Sequence, residues 1–214
     1  MKVGVLASGS GTNLQALIDA TSRGELGPAR IVVVGANVPG CGAIERAAKA
    51  GIPTFVRSHK DFATREDFDH ALLDELRRHG VGLVVLAGFM RILTPALLDV
   101  FPHRVVNIHP ALLPSFPGVH AQKQAFDHGA RFSGCTVHFV DAGTDTGPII
   151  AQAVVPVLDG DDEEALRLRI LAEEHRLFPA VIRAIAEGRV SVDGRRVHVR
   201  GTPVELRDSR MRSL

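Results

Sequence analysis

Cysteine is scarce, long apolar runs are missing, and charge of either sign nearly cancels. The two cysteines, Cys41 and Cys135, lie far apart without Cys-x-x-Cys or Cys/His ligand spacing. Neither a disulfide framework nor a zinc site is implied, and both are expected to be small packing residues. No apolar stretch approaches the ~18 to 20 residues of a membrane span, and the N-terminal VGVLA is too short for a signal-peptide core. The expected compartment is therefore the cytoplasm, with no membrane partner. A net charge of +1 argues against a nucleic-acid partner held by bulk charge. Lysine is rare, 4 residues against 21 arginines, which reads as a compositional bias and not as a functional signal.

The charge that remains is uneven. From Arg189 onward seven arginines face Asp193, Glu205 and Asp208, which leaves 18 basic against 21 acidic residues in the body. A solvated basic tail is the plain reading, and an anion-attracting tail the alternative. With 45% apolar and 23% charged residues in 214, the chain reads as globular, one domain with a small appendage. The expected division is a domain over residues 1–188 and a short hairpin with a basic tail over 189–214.

Short apolar runs alternate with amphipathic stretches, the pattern of an α/β protein with an open, mostly parallel, Rossmann-like sheet covered by helices on both faces. Strands are expected over 2–7, 30–36, 54–56, 82–88, 104–109, 134–140 and 149–157. Between them, NLQALIDATSRG puts Leu14, Leu17 and Ile18 on one helical face and stops at Gly24. TREDFDHALLDELRRHG has Thr64 and Asp67 at capping spacing, then Phe68, Leu72 and Leu76 as a stripe. A last long helix over roughly 161–187 contains Pro179, which predicts a kink or break near Phe178. VSVDGRRVHV reads as two short strands about a turn at Asp193-Gly194, followed by an irregular tail.

VLASGSGTNLQAL runs strand, glycine turn, helix. Gly9 and Gly11 allow close backbone approach, and the N–H groups of Thr12 and Asn13 fall at a helix N-terminus, where free donors and the dipole favour an anion. A dinucleotide fingerprint would place glycine where Leu14 stands, and a Walker loop would need Gly-Lys-Ser/Thr. The acidic residue that grips an adenosine ribose is also missing, since the second strand runs into Ala36-Asn37. A monophosphate cradle fits better than a dinucleotide site, and a plain tight turn is the alternative.

VVNIHPALLPSFPG, residues 105–118, begins as a buried strand and ends in a loop stiffened by Pro110, Pro114 and Pro117. Residues i and i+2 of a strand share a face about 6.5 to 7 Å apart, so Asn107 and His109 point one way, Val106 and Ile108 the other. A strand buried on both faces has no structural reason to carry two polar groups. An amide donor and an imidazolium donor flanking one point at the carboxyl end of a strand suit an oxyanion developing on a carbonyl. Such a histidine needs a carboxylate to stay protonated near neutrality; Asp145 in VDAGTDTGP is the first candidate and Asp141 its competitor, with ordinary turn chemistry as the alternative for both. No Ser or Cys nucleophile motif and no EF-hand pattern is present, so direct attack by a substrate nucleophile without a metal is expected.

SGSGTNLQAL, AGFMRIL, NIHPALLPSFPG, HFVDAGTDTGPI and EEHRLFP, in this order and spacing, resemble the phosphoribosylglycinamide formyltransferases, folate-dependent enzymes of purine synthesis, over essentially residues 1–190. The resemblance implies transfer of a formyl group from 10-formyltetrahydrofolate, a co-substrate, to the amine of glycinamide ribonucleotide. It implies Asn107, His109 and Asp145 as the catalytic trio. Gly11, Thr12, Asn13 and Glu174 would hold the ribonucleotide, and Arg65, Met90, Arg91, Ile92, Leu93, Asn107 and Asp141 would line the folate site. His138 is expected to pack, and the sequence does not decide whether His120 and His175 border the implied site. GANVPGCGAIERA departs from the Ser-Asn start common after the second strand of such enzymes. A homodimer is compatible with the sequence.

Three other readings share parts of the pattern. A formyltetrahydrofolate deformylase would carry an extra N-terminal domain, and a methionyl-tRNA formyltransferase a large C-terminal one. A degenerate α/β domain that only binds a folate or nucleotide would require the Asn, His and Asp trio to be accidental.

Overall fold

The computed structural model describes residues 1–201. Its elements in chain order are β1 (Lys2–Ala7), α1 (Thr12–Ser22), β2 (Arg30–Ala36), α2 (Gly42–Lys49), β3 (Thr54–Val56), α3 (Arg65–Arg78), β4 (Leu83–Leu86), α4 (Pro95–Leu98), β5 (Val105–His109), α5 (Ala121–Asp127), β6 (Phe132–Phe139), β7 (Ile149–Pro156) and α6 (Glu163–Ala186). A hairpin of β8 (Val190–Asp193) and β9 (Arg196–Val199) follows.

The first seven strands form one sheet in the order β3-β2-β1-β4-β5-β6-β7. Pairings from β3 through β5 are parallel, and β5-β6 and β6-β7 are antiparallel. The expected α/β fold with a mostly parallel sheet is therefore observed. Alternation sends side chains of each strand to two separate cores. Val3, Val5, Leu83, Val85, Val106 and Ile108 meet Leu14 and Leu17 of α1 and Leu166, Ile170 and Phe178 of α6. On the other face Leu6, Val84, Leu86 and Val105 meet Phe68, Leu72 and Leu76 of α3 and Leu97 of α4. Strand order reverses between β1 and β4, so the loops after β1, β4 and β5 open on one crevice at their carboxyl ends.

Local expectations mostly hold. Thr64 caps α3 by accepting from Asp67 N at 3.1 Å. Gly24, at φ 73°, lies just beyond the end of α1. Two readings need correction. α6 runs 24 residues without a break at Pro179. Leu177, Phe178, Val181 and Ile182 are all buried, and that packing outweighs the one backbone hydrogen bond the proline cannot donate. The hairpin turn falls one residue later than expected: Asp193 pairs with Arg196, so Gly194-Arg195 form the loop. The hairpin packs its valines on the α1/α6 core, and at its tip Arg195 Nη2 donates to Thr146 O at 2.8 Å. Most of the irregular tail expected beyond residue 199 lies outside the described residues.

Candidate active site

The glycine turn after β1 delivers α1 with no side-chain cap, leaving the first-turn N–H groups without a side-chain acceptor. Gly11 sits at φ 74°, and a Cβ there would lie 2.6 Å from Ala43 Cα. Close approach of α2 accounts for this glycine, whereas Gly9 has open space around it. Arg46 of α2 donates through Nε to Ser10 O at 2.9 Å and through Nη1 to Gln15 Oε1 at 3.1 Å, which sets a guanidinium beside the turn. A hollow of about 350 Å³ over the outer face of α1 is lined by Thr12, Gln15, Asp19, Arg46 and His175, among others. His175 Nε2 is buried there without a partner, and burial pushes its imidazole below the ordinary histidine value.

The turn meets α6 through one hydrogen bond, Asn13 Nδ2 to Glu174 Oε2 at 2.8 Å. Glu174 is 5% exposed, and burial pushes its carboxyl above the usual range despite Asn13. A raised folded-state value means that the group's contribution to stability is full below the unfolded value of 4.5 and is lost as pH rises through the folded one. Glu174→Gln keeps an acceptor for Asn13 and removes the buried charge. Its unfolding midpoint in urea should therefore match the wild type at pH 4 and exceed it at pH 8; equal midpoints at both would show that Glu174 carries no ionisation cost.

At the end of β5 the two polar residues share the face of Val105, with Asn107 half-buried and His109 3% exposed. Antiparallel pairing sets Asn107 directly opposite His138 and His109 opposite Thr136, so β6 adds a third polar residue at hydrogen-bond distance. Asn107 Nδ2 donates to His138 Nε2 at 3.1 Å, while His138 Nδ1 donates to Phe139 O at 2.8 Å. His109 Nε2 donates to Phe116 O at 2.8 Å, and its Nδ1 lies 3.3 Å from Asp145 Oδ2. Asp145 Oδ2 also accepts from Gly118 N at 2.8 Å, and its Oδ1 lies 3.7 Å from His138 Nε2.

Burial is the largest influence on both His109 and Asp145. It pushes the His109 imidazole below its ordinary value, and the Asp145 carboxylate and Phe116 carbonyl oppose it without overcoming it. For Asp145 burial works upward, but the His138 ring, Gly118 N–H and the His109 ring outweigh it and hold the carboxyl below the usual range. The result is an ionised carboxylate against a histidine that gives up its second proton readily.

The loop after β5 is held from the sheet. Thr136 Oγ1 accepts from Leu113 N at 3.0 Å and donates to Ala111 O at 2.7 Å, and Gln152 Nε2 donates to Leu113 O at 2.9 Å. Phe116 and Asp145 both take positive φ, at 53° and 56°, so the backbone on either side of His109 sits in a conformation L-residues rarely adopt. Asp141 closes its own turn, accepting from Gly143 N at 3.1 Å and Thr146 Oγ1 at 2.6 Å. That leaves Asp145, not Asp141, beside His109.

Met90 and Ile92 are 64% and 50% exposed in the loop after β4, with Leu93 buried beneath them. Arg65 stands exposed at the first position of α3. Among the sequence-derived residues, the structure brings together Asn107, His109 and Asp145, and separately Asn13 and Glu174. His138, expected to pack, reaches both Asn107 and Asp145. Its signal was the strand pairing, which periodicity in one strand does not supply. Cys135 behaves as the packing residue expected, its thiol pushed up to about 12 by burial.

Residues 1–182 match the formyl transferase family. The chain is 50% identical over 191 residues to a phosphoribosylglycinamide formyltransferase of Mycobacterium tuberculosis, covering 89% of this chain and 87% of that protein. It is 52% identical over 193 residues to the trifunctional purine biosynthetic protein adenosine-3 of Chironomus tentans, covering 90% of this chain. It spans 14% of the length of that relative. In structure it is similar to glycinamide ribonucleotide transformylase 1 from Symbiobacterium toebii, with TM-score 0.91, 51% identity and 93% of each chain covered. The chain belongs to the phosphoribosylglycinamide formyltransferase family.

Proposed function

We propose that this protein transfers a formyl group from 10-formyltetrahydrofolate to the amine of glycinamide ribonucleotide, as a step of purine biosynthesis. The observation that carries the chemistry is the cluster at the end of β5. An amide and an imidazole share one face, and the imidazole is backed by a carboxylate held at 3.3 Å. Family membership supports the acceptor, and the uncapped turn at Gly11, Thr12 and Asn13 suits its phosphate.

The acceptor amine attacks the formyl carbon and forms the new C–N bond, and the carbonyl electron pair moves to oxygen. Asn107 stabilises this oxyanion. Its amide has two N–H donors, and only one is given to His138. His109 Nε2–H exchanges the Phe116 carbonyl for the oxyanion, an acceptor whose charge-assisted hydrogen bond is roughly twice as strong. Asp145 orients the His109 ring and stabilises positive charge on it. The tetrahedral intermediate collapses by breaking the C–N bond to the folate, whose nitrogen leaves with a proton drawn from the attacking amine through solvent near Asp145. Glu174 and Asn13 bind the ribonucleotide, and Arg65, Met90–Leu93 and the Asp141 turn line the folate side. The chemistry calls on no metal.

One assay tests the reading. Purified protein is mixed with 10-formyltetrahydrofolate in the presence and absence of glycinamide ribonucleotide. Formylated product that requires the amine is the expected result. Formate released without it would make the protein a deformylase, and no turnover would leave a binding protein.

A further inference from the structure

The segment Met90–Thr94 is tied at both ends by side chains from elsewhere in the fold. At the first end Met90 N–H donates to Ser8 Oγ at 2.8 Å. At the other, Thr94 N–H donates to Asp69 Oδ2 at 2.5 Å. We propose that Ser8 and Asp69 are positioning residues for the donor subsite. They fix the two ends of this segment, so that Arg91, Ile92 and Leu93 between them keep one arrangement for the donor. The proposal rests on the reading of that loop as the folate side of the site.

Neither side chain has an evident structural reason to be polar. Asp69 is 1% exposed on α3 beside Phe68, Leu72 and Leu73, in a core where an aliphatic residue would pack without cost. The buried Thr94 hydroxyl lies against the same carboxyl and, with the Thr94 amide, favours its ionised form. A buried carboxyl held by these two groups of one residue is still a net cost to folding. Its return is the fixed Thr94 amide, at the junction where the loop enters α4. Burial pushes the Asp69 carboxyl above the usual range, in keeping with that cost.

Ser8 is oriented with equal economy. Its hydroxyl donates to Asn37 Oδ1 at 2.6 Å, and Asn37 Nδ2 in turn faces His59 Nδ1 at 3.2 Å. With the hydroxyl proton committed to Asn37, an oxygen lone pair is left for Met90 N–H. Ser8 N–H also donates to Gly88 O at 3.0 Å. Ser8 belongs to the glycine turn that leads into α1, so the turn read as the phosphate cradle and the loop read as the folate side share one hydrogen-bonded residue.

Steady-state kinetics with both substrates varied, on wild type, Ser8→Ala, Asp69→Ala and Asp69→Asn, test the inference. Losing one net hydrogen bond should raise KM for 10-formyltetrahydrofolate by about tenfold in the two alanine variants, with kcat held within about threefold. KM for glycinamide ribonucleotide should stay near wild type in Asp69→Ala. Asp69→Asn, whose amide oxygen still accepts from Thr94, should restore the donor KM. Amide hydrogen exchange at Met90 and Thr94 should accelerate in the matching alanine variant. An Asp69→Asn protein as impaired as Asp69→Ala, or donor and acceptor KM rising in parallel in Asp69→Ala, would overturn the inference while leaving the transferase reading intact. A wild type that never turns over the donor would overturn both.

Discussion

His109→Ala should lower kcat by about 10²- to 10³-fold in a protein that remains folded, and Asn107→Ala should do the same. Removing one donor to a developing oxyanion typically costs about 2.7 to 4 kcal/mol. The local geometry limits collateral damage. Asp145 keeps its hydrogen bond from Gly118 N–H at 2.8 Å when the His109 ring is removed, so the loop retains an anchor. In the proposed mechanism both donors serve the same oxygen, so the double variant should lose less than the product of the single losses. Circular dichroism and thermal melting confirm the fold, and single-turnover formyl transfer gives the rate. Near-normal turnover in folded His109→Ala would remove the imidazole from the chemistry.

His109 also leaves a mark on stability. Burial depresses its folded-state value below 6.5, so on acidification the unfolded chain takes up a proton before the folded chain does. Stability is therefore full above the unfolded value and falls as pH drops through 6.5 toward the folded value. His109→Ala should flatten that part of the urea-midpoint profile, with His175, depressed in the same direction, still contributing to it.

The sheet was legible in the sequence because its central strands are buried on both faces and so read as unbroken apolar runs. Asn107 and His109 stood out for the same reason, as two polar groups in a run that had no packing use for them. The partners of those groups were less legible because they come from long-range register. His138 faces Asn107 only because β5 and β6 pair antiparallel with residue 107 opposite 138. Nor could the carbonyl of Phe116 be foreseen as an occupant of the His109 donor, since it depends on a positive-φ residue inside a proline-rich loop. Pro179 misled for a related reason: local propensity predicts an ending, and the buried face of α6 decides otherwise. Nothing in the sequence sets Asp69 apart. Its role lies in a contact with residue 94, which no helical period reveals.

Gly147→Ala should be the most damaging small substitution in the loop that carries Asp145. A Cβ at this position would lie 1.8 Å from Phe139 O and 2.8 Å from Phe139 C, and both are backbone atoms that no rotamer change can move. The contact arises where β6 gives way to the loop, and Phe139 N donates to Pro148 O at 2.9 Å on the adjoining residue. Relief therefore requires the chain around residues 145–148 to lift away from β6. Overpacking of this kind costs about 1 to 3 kcal/mol, or roughly 3 to 10 °C of melting temperature for a domain of this size. The larger consequence is catalytic. Asp145 lies two residues upstream, and a displacement of about 1 Å in a catalytic group can cost 10²-fold in rate. Gly147→Ala should accordingly lose about 10²-fold or more in kcat with a moderate drop in melting temperature. Gly9→Ala, whose Cβ meets nothing within 4 Å, should melt like the wild type. If Gly147→Ala melts and turns over normally, the close approach of residue 147 to β6 does not set the position of Asp145, and the placement of that carboxylate must depend on its contacts with Gly118 and the two histidines alone.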